Sequence, residues 1–233
     1  MTEQYTYSSS IKSTASDELI NTYFIRPAAG LIVRLLYRTI ISPNQVTIAS
    51  TFVGFAAAVL YVGGTQAHNL AAGLLITLKD ILDSADGQLA RAKNQYSRRG
   101  RFMDSIGDFF VNAFVFAAIS TALYESSHSV WNVIPGIVGF FSLTLRVSYH
   151  VFYQTAFLHL NDRYTVNRLT EEVREEDLRQ DAITLRLQTI FQWLYGWQDS
   201  LMKKIDEWSR AGLTHSQSND IDWYGNLPAL RIS

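Results

Sequence analysis

Forty consecutive residues, Thr39 to Leu78, contain no Asp, Glu, Lys or Arg. Two more charge-free runs follow, sixteen residues from Phe109 to Tyr124 and twenty from Ser126 to Leu145. A helix crossing a bilayer needs about 20 mostly apolar residues. These lengths suit crossings better than the alternative, buried helices of a large soluble protein. The chain average hides the pattern, because 48% hydrophobic residues and a mean hydropathy of +0.02 are ordinary values. We therefore expect an all-α integral membrane protein, a helical bundle with about four transmembrane helices.

Residues 1–17 are rich in Ser and Thr and read as a tail without a charged-then-apolar leader. Residues 18–41 read as an interfacial amphipathic helix: Pro27 suits a first turn. Leu31 and Leu35, and Ile32 and Leu36, recur four apart, with Arg34 and Arg38 on the flanks. Ser42-Pro43-Asn44 breaks that helix and caps the next. A transmembrane bundle is expected over residues 42–160. Its crossings run from about Gln45 to Gly64, Leu70 to Ala92, Arg101 to Tyr124, and Val130 to Leu160, the last with a kink expected at Pro135. The second is apolar only as far as Leu78, so its later half meets other helices or lines a cavity. Beyond Leu160 the chain becomes soluble in character. Residues 161–210 read as cytoplasmic amphipathic helices, charged over Glu171 to Asp181. From Leu187 through Ile190, Leu194, Trp197, Leu201 and Ile205 to Trp208, apolar residues step by three and four. That second segment rests either on the membrane surface or on the protein's own cytoplasmic face. Residues 211–233 read as a tail, whose last stretch, Trp223 to Ser233, looks like the approach to a further crossing.

Of twenty Lys and Arg, four precede the first crossing, five lie between Arg91 and Arg101, and nine follow Leu160. The turns after the first and third crossings contain none. This is the positive-inside pattern of a four-span chain with both ends in the cytoplasm. The absence of cysteine excludes a disulfide framework and a zinc–thiolate site. His68, His128, His159 and His215 fall in or near turns and read as surface residues.

Four carboxylates stand where the apolar segments end. Asp83 and Asp86 share a face of the second crossing, and Asp104 and Asp108 share a face of the third. A short turn joins these crossings, so their cytoplasmic ends are expected to meet as antiparallel neighbours. Charged groups at membrane depth cost roughly 2.5–3.5 kcal/mol each and are usually functional. Crowded acids also repel unless cations lie among them. Hard oxygen ligands at this density suit Mg²⁺, Mn²⁺ or Ca²⁺, and paired divalent ions are a recurrent device for in-line phosphoryl transfer. An EF-hand is excluded because the acids come from two helices. Gly87 bares the backbone beside them, while Arg91, Ser97, Arg98 and Arg99 supply donors that match phosphate oxygens.

The pattern Asp83-x₂-Asp86-Gly87-x₂-Ala90-Arg91-x₈-Gly100-x₃-Asp104-x₃-Asp108 resembles, at all eight fixed positions, the signature of the CDP-alcohol phosphatidyltransferases. Pro43-Asn44-Gln45-Val46-Thr47 also resembles that family's entry to its first spanning helix. The likeness covers about residues 19–160. It implies a membrane phosphotransferase of phospholipid synthesis. Such an enzyme moves a phosphatidyl (phospho-alcohol) group from a CDP-linked donor, such as CDP-diacylglycerol, to an acceptor alcohol and releases CMP. On this resemblance Asp83, Asp86, Asp104 and Asp108 ligate two Mg²⁺ or Mn²⁺ ions, and Asp108 is the catalytic base. Asn44, Thr47, Gly87, Arg91, Ser97 and Gly100 bind the donor. The family also implies a homodimer, a site open to the cytoplasm, and a home in the bacterial inner membrane, with no nucleic-acid partner.

Outside the motif the residues leave alternatives open. Arg146 and His150, four apart on the fourth crossing, either bind a phosphate or polar head of the acceptor or pair with Asp80 or another acid. Lys79 either pairs with Asp80 or snorkels toward the headgroups. The family usually has six spans, so this chain reads either as a fragment or as a four-span variant. A catalytically weak metal-binding structural homologue is the alternative function. A cation transporter is disfavoured, because no charged path runs through Leu70–Leu78 or Phe109–Tyr124.

Overall fold

A computed structural model of the protein describes residues 20–160, 173, 175, 177 and 181–210. The tails at 1–17 and 211–233 and most of the charged segment after Leu160 lie outside the described residues. Within them, every regular element is helical. A short π-helical stretch, Asn21–Ile25, runs into α1, Arg26–Leu36, with Pro27 in its first turn. Four long helices follow: α2, Pro43–Val62; α3, Gln66–Ala92; α4, Arg98–Ser127; and, after a 3₁₀ turn at Val130–Val133, α5, Ile134–Leu160. The last is α6, Ala182–Arg210.

The helix ends follow from local chemistry. Ser42 caps α2 in a reciprocal capping box: its hydroxyl accepts from the Gln45 N–H while the Gln45 side chain accepts from the Ser42 N–H, with Pro43 at the first position. Thr65 caps α3 by accepting from the His68 N–H at 3.2 Å. This helix therefore begins at Gln66, four residues before the apolar pattern suggests. It ends where Asn94 turns left-handed, at φ 52°. Ser97 then caps α4, accepting from the Gly100 N–H at 3.0 Å, so Gly100 and Arg101 already belong to the helix. Pro135 sits in the first turn of α5, where its missing N–H costs nothing, and so does not interrupt the helix.

The chain falls into two compact units, one up to Phe141 and one from Ser142. In the first, α2 is the common support, with both α3 and α4 packed along it. Glycines set the α2–α4 approach: a Cβ at Gly54 would lie 2.6 Å from Val111 Cγ1, and one at Gly107 would lie 2.6 Å from Thr51 Oγ1. Small residues are how helices come close in a membrane, where burial against a partner gains nothing over lipid. Helix α1 packs on the later half of α3, where Ala29 and Val33 meet Val46, Ala85 and Leu89 in the main buried cluster. Gln88 adds a hydrogen bond from its Nε2 to the Arg26 carbonyl at 3.1 Å. The two acid-bearing helices, α3 and α4, meet as expected at their acid-bearing ends, through the side chains of Lys79, Asp83, Asp104 and Asp108 rather than by close backbone packing.

Three segments are long and apolar enough to cross a membrane: α2, α4, and the stretch Val130–Ala156 that comprises the 3₁₀ turn and most of α5. Helix α3, at 27 residues, has the length. Its later half, with Lys79, Asp80, Asp83, Asp86 and Arg91, is too polar to meet the same standard. No more than a third of the most apolar stretch of any of the three is buried. Phe52, Val59, Leu74, Phe114 and Ile137 all face outward. A surface of that kind belongs in lipid, and the protein is an all-α integral membrane protein.

The glycine packing makes a paired prediction. Gly54→Ala should overpack the α2–α4 contact and cost about 1–3 kcal/mol. Gly73→Ala, in α3 with nothing nearer than Tyr61 Oη at 4.0 Å, should stabilise by up to about 1 kcal/mol through helix propensity. Thermal unfolding in detergent, run on both variants side by side, checks the opposite signs.

Candidate metal and phosphate site

The acids converge through side-chain reach. On α3, the stripe Ile81, Ala85, Leu89 and Ala92 belongs to or packs against the α1 cluster, which leaves Asp83 on a different face. On α4, Asp104 and Asp108 are one turn apart. One carboxylate oxygen from each of Asp83, Asp104 and Asp108 lies within 4.8 Å of the other two. Two of the oxygens, Asp83 Oδ1 and Asp104 Oδ1, are buried and accept no hydrogen bond. Buried acceptors without donors are costly. A hard divalent cation relieves that cost, and three carboxylates at this spacing fit one. No zinc-type donor takes part.

Lys79 is the residue whose place the sequence left ambiguous. It is buried, and its Nζ donates to Asp108 Oδ1 across from α3 to α4. The same ammonium stands 3.6 Å from Asp83 Oδ1, too far for a hydrogen bond but within ion-pair range, and 3.8 Å from Asp80 Oδ1. It therefore does not snorkel, and Asp80 is the most distant of its three partners. The legible signal was its position four residues before Asp83, on the same helix face.

Asp86 lies outside the three-oxygen cluster and has a partner of its own. Its Oδ2 accepts a hydrogen bond from Thr47 Oγ1, a buried hydroxyl in the first turns of α2. Thr47 is thus turned onto a motif carboxylate. Asn44 also has a packing role: a Cβ at Gly100 would lie 2.7 Å from Asn44 Oδ1, so a larger residue there would displace the Asn44 amide. The Ser97 hydroxyl is engaged as the α4 cap. Gly87 is different, since a Cβ there would meet nothing closer than the Arg91 guanidinium at 3.7 Å. The space over Gly87 and Arg91 is open to a ligand. Arg91 Nη1 also donates to Tyr96 Oη at 3.4 Å. Close by, Arg98 and Arg101 lie 5.4 and 5.0 Å from the buried Phe102 ring. Arg146, exposed, and His150, half-buried, lie one turn apart on α5, in the second unit.

A membrane-embedded helical bundle with a carboxylate cluster shared between two helices, followed on the first of them by the bare backbone of Gly87 and the Arg91 guanidinium, offers the donors that a divalent cation and a phosphate ester require. The family is explicit in the sequence: residues 40–162 match the model of the CDP-alcohol phosphatidyltransferases, and the chain belongs to that family. Members of it depend on divalent metal. Among curated relatives, a "Bifunctional IPC transferase and DIPP synthase" of Archaeoglobus fulgidus is 39% identical over 90 residues, which cover 39% of this chain and 17% of the relative. The protein of the same name from Thermococcus kodakarensis is 31% identical over 112 residues, 48% of this chain and 24% of the relative. That from Aquifex aeolicus is 28% identical over 109 residues, 46% and 23%. The matched stretch spans about a fifth of the length of these relatives.

Two measurements follow from this geometry. Thr47→Val removes the donor to a buried carboxylate at nearly constant shape and should cost about 1–3 kcal/mol of stability, while Thr47→Ser should recover most of it in the same melt. Asp104→Asn should weaken Mn²⁺ binding at least tenfold in a titration that reads free Mn²⁺ by electron paramagnetic resonance. Asp80→Asn, outside the cluster, should leave it within a factor of two or so.

Proposed function

We propose that the protein is a CDP-alcohol phosphotransferase of phospholipid synthesis, using CDP-diacylglycerol or a close relative as donor. The observation that carries this reading is the convergence of Asp83, Asp104 and Asp108, with two oxygens lacking hydrogen-bond donors, in a chain of this family. Asp83, Asp104 and Asp108 would hold one divalent ion, Mg²⁺ or Mn²⁺. Asp86 would complete the four-acid set for a second. When bound, such ions neutralise the diphosphate and the developing charge on the leaving CMP.

The chain's own residues supply the rest. Arg91 and the open backbone at Gly87 receive the diphosphate, with Asn44, Thr47, Ser97 and Gly100 shaping the donor side. Asp108 takes the proton of the acceptor hydroxyl. The resulting oxygen attacks the phosphorus bearing the lipid alcohol, the bond from that phosphorus to the CMP oxygen breaks, and CMP leaves. Direct displacement needs no covalent enzyme intermediate. Lys79 holds the Asp108 carboxylate from the opposite helix, a positioning role. The charge distribution supports a site facing the cytoplasm. The relatives' name speaks of transfer and synthase activities, which is consistent with this chemistry. Arg146 makes a phosphorylated alcohol the acceptor class to try first.

CMP release from CDP-diacylglycerol by the purified protein, with Mg²⁺ or Mn²⁺ and single acceptor alcohols, tests the reading. Release dependent on one alcohol and reduced about 10²–10⁴-fold in Asp108→Asn is expected. Lys79→Met should lower kcat about tenfold, roughly 1.4 kcal/mol of barrier, with donor KM little changed and partial rescue by Lys79→Arg. Metal-dependent donor binding without release under every alcohol would favour the structural-homologue alternative.

A further inference from the structure

Helix α6 is inside out. Thr184, Gln188, Leu194, Gln198 and Met202 form its buried side, and both glutamines are 0% exposed. Gln198 Oε1 accepts from Ser148 Oγ on α5, and Met202 packs with Phe152, Tyr153 and Ala156 of the same helix. Gln188 Nε2 donates to Asp177 Oδ2 at 3.0 Å. One exposed flank is apolar. Ile183, Ile190, Trp197, Leu201 and Trp208 fall within a narrow arc, about 100° round the helix from the centre of the buried side at 100° per residue. All five are exposed, Trp208 by 81%, and Trp193, at the margin of the arc, is 78% exposed.

A helix that buries amides and presents tryptophan to its surroundings is reversed for water and correct for a medium that is itself part apolar. We propose that α6 lies in the headgroup region of the bilayer, held to the protein through its polar side and sunk into lipid through the Ile183–Trp208 stripe. Three observations select lipid as the occupant. The chain is an integral membrane protein, and the preceding helix, α5, contains a span, so a bilayer is always adjacent. Tryptophan prefers the boundary between headgroups and acyl chains. Arg186 and Lys204, both exposed, lie together along the outer margin of the stripe, placed to meet lipid phosphates. With Asp199, Lys203, Lys204, Asp206 and Glu207 in its last turns, α6 is too charged to span. This surface is independent of the chemistry proposed above.

The chain's lack of cysteine makes the test direct. Single cysteines are placed at Leu201 and Trp208, on the stripe, and at Lys203, off it. Each is labelled with an environment-sensitive fluorophore in the full chain, reconstituted into vesicles of phosphatidylcholine and phosphatidylglycerol. Lipids brominated on the acyl chain should quench the labels at 201 and 208 with blue-shifted emission, and leave the label at 203 largely unquenched. Replacing Arg186 and Lys204 together by Gln should reduce the quenching at 208 and remove its dependence on phosphatidylglycerol. Equal, weak quenching at all three positions would overturn the proposal. So would shielding at 201 and 208 that ignores brominated lipid and falls on diluting the protein within the bilayer, because the stripe would then be covered by a second copy of the chain.

Discussion

Like charges gathered at the edge of a low-dielectric slab repel one another strongly, and carboxylates cannot be assembled there without compensation. The structure meets that constraint with local partners. Thr47 holds Asp86 and Lys79 holds Asp108, each from another helix. Two buried oxygens, Asp83 Oδ1 and Asp104 Oδ1, accept no hydrogen bond, and the first has only the Lys79 ammonium at 3.6 Å. A bundle that wanted only to be stable would satisfy or delete them. That they persist unsatisfied, beside an arginine and a bare glycine, marks the place where binding energy from outside the chain is to be used.

The sequence made the frame legible, and the reasons are specific. Charge-free runs located α2, α4 and α5, because lipid tolerates so few charges that their absence is informative. Ser42-Pro43 announced the α2 cap by its chemistry. Fixed spacing put Asp83 near Asp104 and Asp108, since one helical turn separates each pair. The misses concern relations between helices. Ser97 capping α4 was hidden by the basic residues around it, so the start of that helix was set three residues late. The bond from Thr47 to Asp86 was not legible, because nothing in a linear sequence says that α2 brings the two together. Lys79 showed two possible roles in sequence and took a broader one in space, since its strongest partner lies on α4. The outward face of α6 was visible as a periodicity, but which of its two sides the protein would occupy was not.

Lipid as the surrounding medium explains features that would be faults in water. Helix α1 buries Ala29 and Val33 and turns Leu31 and Leu35 outward. Helices α2 and α4 approach through glycine, while Phe52 and Phe114 face outward. In each case small side chains settle helix–helix contacts and large apolar ones face out, the division expected when hydrophobic burial inside gains nothing over hydrophobic surroundings.

The support helix has one more consequence. Because the backbones of α3 and α4 both pack closely on α2 and approach each other less closely, α2 acts as a spacer, and the gap bridged by the acids is measured out by a helix that contributes none of them. The contacts of Gly54 with Val111 and of Thr51 with Gly107 are therefore gauge blocks. A methylene added or removed there alters the width of the carboxylate jaw without altering a single ligand. In this bundle the spacing of the carboxylates depends partly on packing in a seam that holds none of them.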